Sequence, residues 1–459
     1  MKESYTLIEE LEVRKHENFS LYAKHINEAF AKILKLTGYG KNFRGSQYHE
    51  MFDENGNAYL DLVSGYGTLN AGHNHPYIKD AIHKILDKNI PSFSQIDCNL
   101  LTALAAEKLS MLLPEDLDTV YFCNSGSEAV DAAIRLARKF TGKKHLLYCD
   151  RAFHGSSLGV LSITDHQRRD YVRPLIPGTI KIPYNHLPSL TEALEKQKVA
   201  AFVLELIQGE GGILACDHDF ANQALALCRK HKTLMIVDEV QTGFGRCGKN
   251  FASELYQITP DMITFAKSLG GGLAPAGAFV CNHKIFQKAY GSFQHALDLK
   301  NTFGGGAIAM AASIAMIELL EKENLALQAH EKGKMLKNEL NKLKEKHRFI
   351  EEVRGTGLML GIKIRQSVAE WIDPMLATKL KQSAAEIYTQ YLSLTLMNEH
   401  RIIAQVAAGD YTVLKIMPSL LCPAEELMRF LQALDLILEK KSVPGSFIDL
   451  LLAMASKHE

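Results

Sequence analysis

A chain of 459 residues is too long for one small core and predicts about two to three domains, one large with a smaller companion. Lys and Arg number 52, equal to Asp and Glu, so the formal net charge is zero. This balance gives no global field that would favour nucleic acid or an anionic membrane. The expected partner is therefore a small molecule.

The cysteines and the N-terminus bear on cellular location. No Cys-x-x-Cys pair occurs among the eight cysteines, and several stand in apolar runs such as VYFCNSG, so we expect reduced, buried thiols. The opening residues, MKESYTLIEELEVRKHENF, lack the apolar core of a signal peptide. The longest apolar stretch, Gly306 to Ile317, is too short to span a bilayer. These features predict a cytoplasmic protein that does not enter a membrane.

In chain order, a helical stretch is followed by two alternating runs joined by DENG, which predicts a hairpin. Between about residues 118 and 282, short β-branched runs alternate with segments of helical period, typical of a mostly parallel sheet wrapped by helices. After about residue 325, charged helical sequence and the strand patterns VRGTGLMLGIKI and VLKIMP predict a smaller α+β domain. We expect an N-terminal segment over 1–70 packed with the small domain, a large domain over 71–325, and the small domain over 326–459.

Three segments of the large domain are candidates for binding a charged ligand. VYFCNSGSEAV passes from a strand into a helix at Ser125, Gly126 and Ser127, where free N–H groups would suit a phosphate, although Ser127 could simply cap the helix. Asp238 ends the apolar strand LMIVD, where it would cap a loop or pair with a pyridinium nitrogen. Lys267 follows the apolar strand MITFA, where it would snorkel or act as an amine of lowered pKa.

A phosphate-binding helix start, an acid at one strand end and a lysine at the next are the three anchors that pyridoxal 5′-phosphate (PLP) requires. From about Tyr39 to Leu421 the chain resembles the class III aminotransferases, the ornithine, acetylornithine, GABA and putrescine group of fold type I PLP enzymes. The motifs that carry the resemblance are SGYGTLNAGHNHP, NSGSEAVDAAIRLAR, AFHGSS, ELIQGEGG, VDEVQTGFGR, FAKSLGGG and NTFGGG. The resemblance implies an α/β large domain with a mostly parallel seven-stranded sheet flanked by helices, plus a smaller α+β domain.

The resemblance also implies which residues contact the cofactor. Lys267 would carry PLP as a Schiff base, and Asp238 would contact the ring nitrogen. Gln241 would face the ring hydroxyl, Val240 would pack against a ring face and Phe153 would stack on the ring. The remaining implied contacts are Ser125, Gly126, Ser127, His154, Glu205 and, from the neighbouring subunit of a homodimer, Thr302.

Three residues are implied on the substrate side. Tyr66 matches an aromatic that lines the pocket, and Glu210 matches a glutamate that can pair with an arginine of the C-terminal domain. At that arginine's position the chain has Lys415, with Ser419 replacing the second proline of the family's turn. Lysine lacks the planar fork that grips a carboxylate, which argues against an α-carboxylate site of the ornithine type. A carboxylate could still bind singly, or the pocket could accept an amine or aldehyde that has none.

The predicted activity is transfer of an amino group, with a slight preference for a terminal amine, diamine or ω-amino acid as donor and a keto acid or aldehyde as acceptor. We expect ping-pong kinetics through Lys267. An aminomutase of the glutamate-1-semialdehyde type, a decarboxylating aminotransferase and a non-catalytic PLP-binding protein are the alternatives. His73 and His75 have metal-ligand spacing but no third ligand nearby, so we predict a turn and no metal.

Overall fold

A computed structural model describes residues 6–93, 96–366 and 384–440, apart from the side chains of residues 167 and 168. The helices are α1 (Leu7–Val13), α2 (Asn18–His25), α3 (Glu28–Thr37), α4 (Ser64–Gly67), α5 (Pro76–Asp87), α6 (Leu100–Met111), α7 (Gly126–Thr141), α8 (Leu158–Leu161), α9 (Leu187–Lys196), α10 (His218–Lys230), α11 (Ala252–Leu255), α12 (His283–Tyr290), α13 (Ala307–Lys322), α14 (Leu325–Lys346), α15 (Ala384–His400) and α16 (Ala424–Glu439). Two 3₁₀ helices span Gln167–Val172 and Lys267–Gly270.

The strands are β1 (Phe43–Gln47), β2 (Glu50–Asp53), β3 (Ala58–Asp61), β4 (Thr119–Cys123), β5 (His145–Cys149), β6 (Thr179–Ile182), β7 (Val199–Leu204), β8 (Ile207–Gln208), β9 (Leu214–Ala215), β10 (Leu234–Asp238), β11 (Met262–Phe265), β12 (Gly277–Cys281), β13 (Ile350–Thr356), β14 (Met359–Ile364), β15 (Ile402–Ile403), β16 (Gln405–Ala407) and β17 (Asp410–Ile416). Seven of them form the central sheet, in the order β4-β12-β11-β10-β7-β5-β6. Strand β12 is antiparallel to both its neighbours, and the other pairs are parallel. The prediction of a mostly parallel seven-stranded sheet is confirmed.

Helices cover both faces of this sheet. Along β10, Met235 and Val237 pack into a cluster with apolar residues of α9 and α10, whereas Leu234 and Ile236 pack into a cluster with α7 and α12. Alternate residues of a strand point to opposite faces, so two covered faces need the continuous apolar run LMIV. Polar side chains are then accommodated where the strands end.

A second sheet, in the order β1-β2-β3-β15, pairs strands from the first 61 residues with a strand from the C-terminal part of the chain. The antiparallel pair β2 and β3 confirms the hairpin predicted at DENG. Asp53 closes its turn by accepting the N–H groups of Asn55 and Asn57, both at 2.9 Å. Because β15 runs parallel to β3, the N-terminal segment lies against C-terminal residues. The domain boundaries at residues 70 and 325 stay a prediction.

The C-terminal sheet is antiparallel, in the order β13-β14-β17-β16, and packs with α14, α15 and α16 into one apolar cluster. Lys415 lies in β17, opposite Gly361 of β14 and Gln405 of β16. The parts of the predicted small domain at residues 367–383 and 441–459 lie outside the described residues.

Several smaller predictions can be compared with this fold. Seven of the eight cysteines are buried, but Cys98 is exposed, so the prediction of buried thiols is wrong there. Its neighbours Ile96 and Asp97 are exposed as well, just ahead of α6. In the predicted turn, His73 Nε2 lies 2.9 Å from Asp61 Oδ2, and His75 Nδ1 accepts the N–H of Tyr77 at 3.3 Å. Within the described ranges, no helix combines the length and apolar character needed to cross a membrane.

Candidate active site

A cavity of about 330 Å³ lies where parallel strands of the central sheet end. Glu205 directly follows β7, Asp238 ends β10 and Lys267 follows β11, and these three strands are neighbours. This edge is where a doubly wound sheet places its ligands. The predicted residues that line the cavity are Ser125, Gly126, Ser127, Phe153, His154, Glu205, Glu210, Asp238, Val240, Gln241 and Lys267.

Lys267 begins the 3₁₀ helix after β11 and has a left-handed backbone, with φ of 49°. Residues other than glycine rarely adopt this conformation, and such strain concentrates at functional sites. Burial lowers the pKa of Lys267 to about 8, while Glu210 opposes this shift and Lys415 adds to it. A large fraction of the amine is therefore neutral in mildly alkaline solution, as a nucleophile or base requires.

Asp238 is 5% exposed and has a basic partner. Its Oδ2 lies 2.7 Å from His154 Nδ1, and its Oδ1 accepts the N–H of Val240 at 3.0 Å. Burial would lower the pKa of His154, but its hydrogen bond to Asp238 and the charges of Asp238 and Glu205 outweigh burial and raise it. The pair therefore keeps a hydrogen-bonded carboxylate at the cavity wall.

Helix α7 begins at this cavity. Ser125 is its N-cap, with Oγ accepting the N–H of Glu128 at 3.2 Å. The alternative in which Ser127 caps the helix is wrong, because Ser127 is already its second residue. The first N–H groups of a helix have no carbonyl within the helix to bind, and Gly126 and Ser127 supply two of them. A Cβ atom on Gly126 would lie 3.0 Å from Val240 Cγ1, so glycine allows the two segments to approach closely.

Gln241 and Glu205 connect other segments to the cavity. Gln241 Nε2 donates to the backbone oxygen of Tyr66 at 3.1 Å, while its buried Oε1 has no hydrogen-bond partner within the described part of the chain. Glu205 Oε2 accepts the N–H of Phe153 at 2.9 Å, and Oε1 accepts that of Gly209 at 3.4 Å. Burial raises the pKa of Glu205 to about 7, although the charge of His154 opposes the shift. Glu205 thus fixes the backbone that carries Phe153.

The three predicted substrate residues are brought together beside the cavity. Lys415 Nζ lies 2.6 Å from Glu210 Oε1 and 5.6 Å from the centre of the Tyr66 ring. Burial would raise the pKa of Glu210, but the charge and hydrogen bond of Lys415 outweigh burial and lower it. The second carboxylate oxygen of Glu210 accepts the N–H of Ala408 at 3.2 Å. Of the three, Glu210 lines the cavity, whereas Tyr66 and Lys415 lie in an adjoining crevice.

Thr302 is not brought to the cavity. It lies in another hollow of the same chain, near Phe93, Cys98 and Thr102. Its predicted contact with the cofactor of a neighbouring subunit stays a prediction.

Sequence reasoning missed other residues here. Thr68, Asn124 and Ala266 also line the cavity. Asn124 and Ala266 directly precede predicted site residues, and that adjacency was a usable signal. Gln405 was missed as well. In the structure its Nε2 donates to Tyr66 Oη at 2.9 Å. Its position depends on strand pairing far along the chain.

This arrangement is that of a fold type I PLP enzyme: a mostly parallel seven-stranded sheet, with Asp238 at the end of β10 and Lys267 after β11. Residues 44–438 match the family model described as aminotransferase class-III. Aminotransferase PigE of a Serratia species is 33% identical over an alignment 459 residues long, which includes 93% of this chain and 54% of PigE. The chain therefore spans about half the length of that relative. Acetylornithine aminotransferase of Bacillus cereus is 35% identical over 397 residues, covering 86% of this chain and 94% of that protein.

Among solved structures, ornithine aminotransferase of Toxoplasma gondii has the same fold, with a TM-score of 0.82 and 24% identity over 95% of this chain and 99% of that one. The chain belongs to the class III aminotransferases, and it is a PLP-dependent transaminase.

Proposed function

We propose that this enzyme moves an amino group from a terminal amine, a diamine or an ω-amino acid to a keto acid or an aldehyde by ping-pong kinetics. The observation that carries the proposal is the 2.6 Å ion pair between Lys415 Nζ and Glu210 Oε1. Because the Lys415 side chain is 4% exposed and already paired, a substrate carboxylate would have to displace Glu210 to bind there. Lysine also offers no bidentate fork to compensate for that loss. The site therefore favours donors whose reacting amine does not adjoin a carboxylate, and a keto acid acceptor has to displace Glu210 where an aldehyde does not.

The donor groups around the cavity fit PLP. The N–H groups at the start of α7, with the Ser127 hydroxyl, suit its phosphate. Asp238 suits the ring nitrogen, Lys267 suits the aldehyde, and the unpartnered Gln241 Oε1 suits the ring hydroxyl. Phe153 supplies an apolar face for the ring. When bound, PLP withdraws electrons from the substrate carbon, which makes its proton removable.

The protein side of the proposed reaction rests on Lys267 and Asp238. Lys267 Nζ would hold the cofactor covalently between turnovers and, once an amine has displaced it, would move the proton from the substrate carbon to the cofactor carbon, as amino transfer requires. Its pKa of about 8 suits both directions of proton transfer. Asp238 would place a negative charge at the ring nitrogen, and its 2.7 Å contact with His154 fixes its orientation.

We further propose a homodimer in which each Thr302 reaches the phosphate site of the neighbouring subunit. This arrangement would explain why Thr302 lies away from the cavity of its own chain. Amino transfer is favoured over the alternative activities because the matched relatives are named aminotransferases. Measuring the net amino group delivered to an added keto acid separates it from an aminomutase, a decarboxylating enzyme and a non-catalytic binding protein.

The rate at which the apoenzyme captures PLP covalently should rise with pH and level off above about pH 9. Only the neutral amine attacks an aldehyde, and the Lys267 pKa of about 8 means that about one-tenth of the amine is neutral at pH 7. Absorbance of the mixed cofactor and apoenzyme, followed at each pH, measures this rate. A rate that continued to rise through pH 10 would show an unshifted lysine and contradict the expectation.

Changing Lys415 to arginine should raise kcat/KM for ornithine relative to pentylamine by roughly tenfold, because the guanidinium adds a bidentate contact to a carboxylate. A panel of diamines, ω-amino acids, ornithine and long-chain amines should show wild-type preference for donors without an adjoining carboxylate. Lys363→Arg is the control, since Lys363 lies on the neighbouring strand and pairs with Glu351 at 3.0 Å. Wild-type preference for 2-aminohexanoate, whose single amine adjoins a carboxylate, over pentylamine, unchanged in Lys415→Arg, would disprove the assignment of the donor class.

A further inference from the structure

The side chains of Tyr66 and Gln405 lie beside Lys415 in one crevice. Gln405 stands directly opposite Lys415 in the antiparallel pair of β16 and β17, so both side chains lie on the same face of the sheet. Gln405 Nε2 donates to Tyr66 Oη at 2.9 Å, and the Tyr66 ring lies 5.6 Å from Lys415 Nζ. We name the Tyr66 ring with the Gln405 amide the cover.

The cover is held at both ends. The backbone of Tyr66 is left-handed, with φ of 59° after Gly65 with φ of 57°, and its carbonyl oxygen accepts Gln241 Nε2 at 3.1 Å. The Tyr66 hydroxyl is held by Gln405. With 48% of Tyr66 exposed, packing alone restrains its ring weakly, so the bond to Gln405 sets where the ring lies. Tyr66 thus connects the cofactor wall to the C-terminal sheet.

We propose that Gln405 determines substrate specificity: by holding Tyr66 over Lys415, it keeps substrate carboxylates away from the Lys415–Glu210 pair. This inference rests on the proposed amino transfer and deepens it. With the cover closed, the tail of a substrate contacts an aromatic ring, which suits an uncharged chain. A carboxylate reaches Lys415 only after the Tyr66 hydroxyl leaves Gln405. One hydrogen bond therefore shifts the preference between donors without making it absolute.

The test compares two donors of similar length, 4-aminobutanoate and pentylamine. Gln405→Leu and Tyr66→Phe remove the same hydrogen bond from opposite ends, and Tyr66→Phe keeps the ring. Each should raise the kcat/KM ratio of 4-aminobutanoate to pentylamine by about threefold to tenfold, with the absorbance of the bound cofactor unchanged. The double variant should change the ratio no further, because both substitutions act on one bond.

Gln328→Leu is the matched control. Gln328 Nε2 donates to the backbone oxygen of Glu323 at 2.7 Å, and Gln328 lies on α14, outside the residues that line the cavity and the crevice of Tyr66 and Lys415. Its kcat/KM ratio of 4-aminobutanoate to pentylamine should equal that of wild type. A general loss of stability in the C-terminal domain would instead lower kcat/KM for both donors in all variants and leave the ratio of the two values constant.

A second measurement does not depend on turnover. Calorimetry should show pentanoate binding more tightly to Gln405→Leu than to wild type, by about the same factor as the kinetic ratio. Three outcomes would overturn the proposed role of the cover. They are an unchanged kcat/KM ratio of 4-aminobutanoate to pentylamine in active variants, additive effects of Gln405→Leu and Tyr66→Phe on that ratio, and an unchanged affinity for pentanoate. If wild type transfers no amino group from either amine, the proposed function fails, and the pentanoate measurement still decides whether the cover exists.

Discussion

Replacing Lys267 with alanine is expected to lower the rate of amino transfer by about 10²- to 10⁴-fold, the contribution typical of a positioned acid or base. The variant loses both the amine that bonds the cofactor and the group that moves the proton. A small primary amine such as methylamine should restore part of the rate as pH rises, because a larger fraction of the added amine is then neutral. A role limited to packing would give no rescue.

Borohydride treatment followed by mass spectrometry gives a readout of Lys267 that is independent of activity. In wild type the cofactor mass should be fixed on the peptide that contains residue 267, and in Lys267→Ala it should be fixed nowhere. Lys284→Ala is the control, since Lys284 is exposed and lies on α12. Cofactor fixed on another lysine, or full turnover by Lys267→Ala, would remove Lys267 from the mechanism.

Much of the candidate site was predictable because its residues occupy contiguous segments. Asp238 and Lys267 each end an apolar run, so one stretch of sequence contains both the strand and the functional side chain. Gly126 is likewise placed by a strand, a turn and a helix within a single motif. Since parallel strands meet at a common edge, local predictions of this kind bring these residues together without knowledge of distant contacts.

What could not be predicted depends on distant contacts or on backbone detail. Gln405 meets Tyr66 across 339 residues of sequence, through strand pairing that no local pattern specifies. Glu210 is fixed by the N–H of Ala408, 198 residues away, in a turn with no signal for that contact. The helix cap fell at Ser125 because backbone dihedral angles decide between neighbouring serines.

The second large effect is expected at Asp238. Asp238→Asn keeps the size of the side chain but removes the negative charge, and it should lower kcat/KM by about 10²- to 10³-fold, as loss of one preorganised electrostatic group does. The affinity for PLP should fall, and the absorbance maximum of the bound cofactor should shift, because its ring nitrogen loses an ionised partner. Titration of the apoenzyme and the spectrum of the reconstituted enzyme measure these two effects.

Asparagine is used because an Asp→Asn substitution at a second Asp–His pair shows whether the loss of activity comes from the lost charge or from lower stability. Asp435 Oδ1 lies 2.5 Å from His347 Nε2, a buried histidine, in a pair between the end of α14 and α16. Asp435→Asn removes the negative charge from a comparable Asp–His contact and should leave the spectrum and kcat/KM unchanged. If both variants reduced activity equally, loss of stability would explain the effect. A loss confined to Asp238→Asn, with unchanged thermal unfolding of the apoenzyme, would locate the effect in the charge that the His154–Asp238 pair keeps at the cavity.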